Sequence, residues 1–152
     1  MDSGEKKALA DIEKFGCHII HVIEEAESPP FSYSVGISRA SDAPEVVVIG
    51  LKREMSHFVV NEYNRRVRDG ERFAPGVFYL GFLDAFAVVF EQVHRRHYRE
   101  YFGWDLWLYG DDRFDVLQLV YPTTSGLWPW DASAPSDFKA WQPLLTASGG
   151  RA

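Results

Sequence analysis

Apolar side chains recur at helical spacing at Ala8, Leu9, Ile12 and Phe15, and Gly16 follows them, so residues 5–15 are expected to form a short helix stopped by glycine. Residues 17–23, an apolar run holding Cys17, His18 and His21, read as a strand. After a polar turn closed by Pro29 and Pro30, the side chains of Phe31, Tyr33, Val35 and Ile37 alternate with Ser32, Ser34 and Gly36. That spacing gives a strand with one large-residue face and one small-residue face. The small face admits close approach by another backbone or by a ligand. Residues 38–44 read as a loop. The β-branched run Val46-Val47-Val48-Ile49, led by Glu45, is expected to be a central strand buried on both faces.

A longer helix is expected over residues 53–69, with Met55, Phe58, Val59, Tyr63 and Val67 as its apolar stripe and Gly70 just past its end. Two strands follow at 77–82 and 86–93, then a ring-crowded helix over 95–108. The last strand spans 115–121 and carries a single amide, Gln118, among apolar neighbours. Residues 122–135 form a loop rich in Pro, Gly and Trp, and Trp141 to Leu145 return to the body. Strands and helices mix without strict alternation, which predicts an α+β fold with a mainly antiparallel sheet and about three helices. A barrel-like closure of that sheet is kept as an alternative. The 152 residues suit one domain, with an ordered core over 5–146 and a flexible tail at 147–152.

Charge narrows the function classes. A net charge of -6 argues against a general nucleic-acid binder, because phosphate binding needs a basic surface. The densest basic run, His94 to Arg99, reads as a solvated helix face. With one cysteine no intrachain disulfide can form, which suits a reducing compartment. No stretch reaches the roughly 18 apolar residues a membrane helix needs, and no apolar signal region follows the N-terminus. A cytoplasmic protein that engages no membrane is expected. Five Trp residues are many for this length, and some of the rings are expected to line a pocket or an interface, a homodimer interface included.

The familiar catalytic motifs are missing: there is no phosphate loop, no nucleophile elbow, no H-E-x-x-H and no C-x-x-C. No metal site is expected. Glu91, His94 and His97 do not converge on one ion at helical spacing, and His18 and His21, three apart in a strand, point to opposite faces. Glu45 stands at the mouth of the strongest strand, where a carboxylate caps, pairs or binds something. Gln118 either ties down the loop that follows it or faces a ligand. A pocket, if present, is expected where Tyr33, Glu45, Gln118 and the 126–130 loop meet; the alternative is that Pro129-Trp130 plugs one end of the core.

One resemblance covers residues 8–145. Phe15-Gly16-Cys17-His18-Ile19-Ile20, Phe31-Ser32-Tyr33-Ser34-Val35-Gly36-Ile37, Pro44-Glu45, Gly50-Leu51, Gly70, Pro75-Gly76, Gln118-Leu119-Val120-Tyr121-Pro122, Gly126, Pro129-Trp130 and Gln142-Pro143-Leu144-Leu145 together resemble the bacterial "domain of unknown function 4262" family. The family often carries an acidic residue after the proline, where this chain has Thr123. The resemblance implies a bacterial cytoplasmic domain and brings no activity with it. The stretch from Tyr33 to Gly50 is also similar in pattern to flavin-binding split-barrel proteins, which implies an FMN phosphate near Ser34 and Arg39 and ring cover from Tyr33, Trp128 and Trp130.

Two functions follow as expectations. The first is a non-catalytic binding protein, of accessory or toxin-neutralising type, with an exposed apolar patch rimmed by Asp and Glu for a protein partner. The second is an enzyme acting on a small molecule, with FMN on a split-barrel scaffold. The candidate ligand-binding residues are Tyr33, Ser34, Arg39, Glu45, Gln118, Trp128 and Trp130.

Overall fold

The structure, a computed structural model, describes residues 1–151. Helix α1 (Ser3–Phe15) opens with a capping box: Asp2 accepts from the Glu5 amide at 2.8 Å and Glu5 accepts from the Asp2 amide at 3.0 Å. Next come β1 (His18–Val22), β2 (Phe31–Val35), the short helix α2 (Ile37–Ser41), β3 (Glu45–Ile49) and α3 (Arg53–Arg68). The second half holds β4 (Phe78–Leu83), β5 (Phe86–Gln92), a 3₁₀ turn (Arg95–His97), α4 (Tyr98–Tyr101), α5 (Gly103–Tyr109), β6 (Val116–Val120) and α6 (Ser136–Trp141).

The strands form one sheet in the order β1-β2-β3-β6-β5-β4. Four of its pairings are antiparallel; the central one, β3 with β6, is parallel and sets Glu45 beside Val116 and Val47 beside Gln118. The fold is therefore α+β as expected, but the sheet is mixed, and six α-helices are found among the described residues rather than about three. The sheet is also open, with β1 and β4 at its edges. That removes the closed barrel on which the FMN expectation rested.

Every residue of β3 and β6 is buried, because helices cover both faces of the sheet. On one side Val46, Val48, Leu117 and Leu119 pack with Val59, Val60 and Tyr63 of α3. On the other, Val47, Ile49 and Val116 pack with Tyr98 and Phe102. Ser32 and Ser34 of β2 are buried, and the backbone that approaches this strand is α3.

Local departures from the expected elements have physical causes. Residues 38–44 contain most of α2 because the free amides at its start find an acceptor just beyond its end, in Glu45. The expected helix over 95–108 breaks into three pieces; Phe102 leaves helical geometry with φ -117° and ψ 46° and is wholly buried. The stripe of α3 is rotated by about one residue. Ser56 and Asn64 are buried, donating to the carbonyls of Leu51 (3.4 Å) and Phe15 (2.8 Å), while Met55 and Phe58 are exposed. In β4 the pairing register shifts between Tyr79 and Leu83, where Gly81 takes φ +96°. A left-handed glycine in a bulge re-aims the side chains around it: Phe82 is buried and Leu80 is 71% exposed.

Candidate functional site

Three places in the fold gather chemistry. The first is a buried node around Glu45. One of its carboxylate oxygens accepts from Ser34 Oγ (2.8 Å) and the Ile37 amide (3.1 Å), the other from the Ser38 amide (2.9 Å) and Tyr109 Oη (2.5 Å). Helix α2 starts at a glycine and has no side-chain cap of its own, so Glu45 satisfies its orphan amides. Tyr109 Oη in turn accepts from the Arg39 amide at 3.2 Å. Asp105 lies four residues before Tyr109 on α5, on the same side of that helix. It is also fully buried, and neither of its oxygens has a hydrogen-bond partner within normal geometry, although the Gly36 amide favours its charged form. Gly36 holds φ +101°, and an added Cβ would sit 2.6 Å from Ile12 Cγ1, so no other residue fits between α1 and this pair.

Burial raises the pKa of both carboxyls. The charge of Glu45 raises Asp105 further, whereas the donors on Glu45 oppose its rise. Four donors favour the charged form of Glu45, against the Gly36 amide alone for Asp105, so Asp105 is the member of the pair that protonates more readily.

The candidate residues from the sequence divide accordingly. Ser34, Glu45 and Arg39 meet at this node, Arg39 through its backbone. Tyr33 lies on the neighbouring strand and its hydroxyl accepts from the Trp104 amide at 3.2 Å. Gln118 is drawn elsewhere: its amide donates to the Pro143 carbonyl (2.8 Å) and accepts from the Leu145 amide (2.9 Å), tying the C-terminal segment to β6. Gln142 does the same from the other side, bridging the Tyr121 backbone with bonds of 3.1 and 2.9 Å. Trp128 and Trp130 stack on each other at 5.2 Å between ring centroids, with Phe78 against Trp128 and the Arg151 guanidinium over Trp130. The described part of the 147–152 tail thus returns to the body; Ala152 lies outside the described residues. In the basic run, Arg95 pairs with Asp115 and Arg96 donates to the Thr146 carbonyl.

The second place is a groove of about 350 Å³ between α3 and β4. Met55 and Phe58 stand over it, 43% and 54% exposed, with Phe82 and Leu83 beneath them. Glu54 and Asp84 line it as well. Helical periodicity alone places both in the buried stripe, and the burial of the polar Ser56 and Asn64 shows the true orientation of α3.

The third is a cleft of about 400 Å³ beside the β1 edge, lined by Lys7, Asp11, His18, His21, Arg53 and His57 among others. His18 and His21 do face opposite sides of the sheet. His18 Nδ1 pairs with Asp11 at 2.7 Å and its ring neighbours Trp104, whereas His21 reaches Ser32 and His57 on the α3 side. Burial, then the charges of Arg53 and His57, lower the pKa of His21 to about 4. Among the described residues, no group of three or more His, Cys, Asp or Glu side chains converges as a metal-ligand set.

These features define an open-sheet α+β domain with a hydrogen-bonded polar node at Glu45 and two accessible hollows beside α3. Residues 11–135 match the family described as Domain of unknown function (DUF4262), and the chain belongs to that family. No curated protein matches the chain, and no solved structure does. Among the described residues, no helix is long and apolar enough to cross a membrane.

Proposed function

We propose that this domain is a non-catalytic binding protein of the bacterial cytoplasm, of accessory or toxin-neutralising type, that docks a basic, amphipathic segment of a protein partner in the groove between α3 and β4. The observation that carries this reading is the pair Met55 and Phe58, large apolar side chains held in water over an apolar floor. Exposed apolar surface of this kind marks interaction sites. Glu54 and Asp84 on the groove and a net charge of -6 select a cationic partner. The single buried thiol of Cys17, pushed up to about 12 by burial first and by the Glu45 charge second, suits a reducing compartment.

A labelled amphipathic peptide of Lys and Leu, followed by fluorescence anisotropy, tests the groove. Wild-type protein is expected to bind it with an affinity that falls as salt rises. Phe58→Asp is expected to abolish binding while leaving thermal stability within about 0.5 kcal/mol, because the residue is surface-exposed. Glu54→Lys with Asp84→Lys should weaken binding and flatten its salt dependence. Equal binding by wild type and Phe58→Asp would sink the proposal. So would a dimer in sedimentation that covers Phe58, which would make a second copy of the chain the occupant.

A further inference from the structure

We propose that the cleft beside the β1 edge binds a small monocarboxylate with an apolar body, its carboxylate held by Arg53 and by the His21–His57 pair. Arg53, His57 and Asn61 follow one another at intervals of four on α3, so they form one stripe, and all three line the cleft. Met55 and Phe58 belong to the neighbouring stripe over the α3–β4 groove, and the two hollows share no lining residue.

The charges in the cleft select a monoanion. Asp11 pairs with Lys7 at 2.9 Å and with His18 at 2.7 Å, so its charge is compensated there. Among the described residues no salt bridge engages Arg53. With the histidines neutral, Lys7 and Arg53 against Asp11 leave one positive charge unanswered. Its field reaches the histidine pair: burial first, then the charges of Arg53 and His57, lower the pKa of His21 to about 4 and keep that ring neutral. The Arg53 guanidinium offers a planar fork that matches a carboxylate.

The histidine pair adds a donor. Ser32 Oγ lies 2.6 Å from His21 Nδ1, and His21 Nε2 lies 3.2 Å from His57 Nδ1. Two neutral rings can run this chain in either direction. When Ser32 donates to His21, His21 donates to His57, and His57 carries its own proton on Nε2. When the chain is reversed, that nitrogen only accepts. A carboxylate has no proton to give, so it selects the first direction, and the buried Ser32 anchors the far end. Phe15, Cys17 and Ile19 line the same cleft and supply the apolar wall for the rest of the ligand. The volume of about 400 Å³ suits a small molecule.

Titration with benzoate, followed by calorimetry and by the imidazole nitrogen resonances, tests the site, with benzamide and phenyl phosphate as neutral and dianionic comparators. Wild-type protein is expected to bind benzoate, to shift His57 toward the Nε2–H tautomer, and to ignore benzamide. Arg53→Gln, at an exposed position and with an unchanged melting temperature, is expected to weaken binding by about tenfold or more, as the loss of a charge-assisted hydrogen bond implies. Phe58→Asp should bind benzoate as wild type does, which separates this site from the groove. No binding by wild type, equal binding of benzamide, or undiminished binding by Arg53→Gln would overturn the proposal. Tighter binding of phenyl phosphate than of benzoate would overturn the choice of a monocarboxylate.

Discussion

Glu45→Gln is expected to destabilise the fold by about 2–4 kcal/mol at neutral pH, although it changes one atom and keeps the shape. Each carboxylate oxygen of Glu45 receives one hydroxyl and one backbone amide: Ser34 Oγ and the Ile37 amide on one, Tyr109 Oη and the Ser38 amide on the other. A hydroxyl can rotate to accept, but a backbone N–H cannot. Whichever oxygen becomes the glutamine NH₂ group therefore points hydrogens at a peptide hydrogen. The start of α2 loses its cap, and two strand ends lose their tie, because Ser34 Oγ also accepts from the Val46 amide at 2.9 Å. Chemical denaturation at pH 7 checks this. A midpoint equal to wild type would mean that the four donors do not hold Glu45 as a carboxylate.

Glu45 and Ser34 were visible in the sequence because each breaks a local rule: a carboxylate opens a β-branched strand, and hydroxyls alternate with large apolar residues. Their partner Asp105 was not visible. It sits in Trp104-Asp105-Leu106-Trp107, where any helix with rings on several sides leaves one polar residue ambiguous between water and core. The deciding fact, that the helix breaks at Phe102 and α5 turns one face to Gly36, belongs to tertiary packing. The same limit explains α3. Apolar periodicity at Met55, Phe58, Val59, Tyr63 and Val67 fits two rotations of the helix, and two buried hydrogen bonds from Ser56 and Asn64 decide between them. Sheet order was equally out of reach, since β3 and β6 pair in parallel across 66 intervening residues, 50–115. Strand positions fared better, because alternation and β-branched runs are local signals.

Ser34 and Glu45 lock the end of β2 to β3, and Gln118 and Gln142 lock the C-terminal segment to β6, so the polar residues that break the apolar pattern of the sequence here are tied up in hydrogen bonds between elements.

Asp105→Asn, the same chemical change as Glu45→Gln, is expected to act in the opposite direction. In the unfolded chain Asp105 titrates near pH ~3.9. In the fold, burial and then the charge of Glu45 raise its pKa well above that value. Between the two values the native state holds the extra proton, so the free energy of unfolding falls as pH rises. The stability that the neutral carboxyl supports is fully present below the unfolded pKa and is lost as pH rises through the folded one, at about 1.4 kcal/mol per pH unit. Asparagine is neutral throughout and removes that slope, although its buried amide also lacks partners, which costs about 1–3 kcal/mol. The variant should therefore match or fall below wild type at pH 4 and exceed it at pH 8, so the two stability curves cross. Combining it with Glu45→Gln should give a non-additive result, since removing the Glu45 charge also lowers the Asp105 pKa and leaves less slope for asparagine to remove. Denaturant midpoints for the four proteins at both pH values measure all of this. A variant with the wild-type pH slope would put the buried proton somewhere other than Asp105, and with it the assignment of Glu45 as the charged member of the pair.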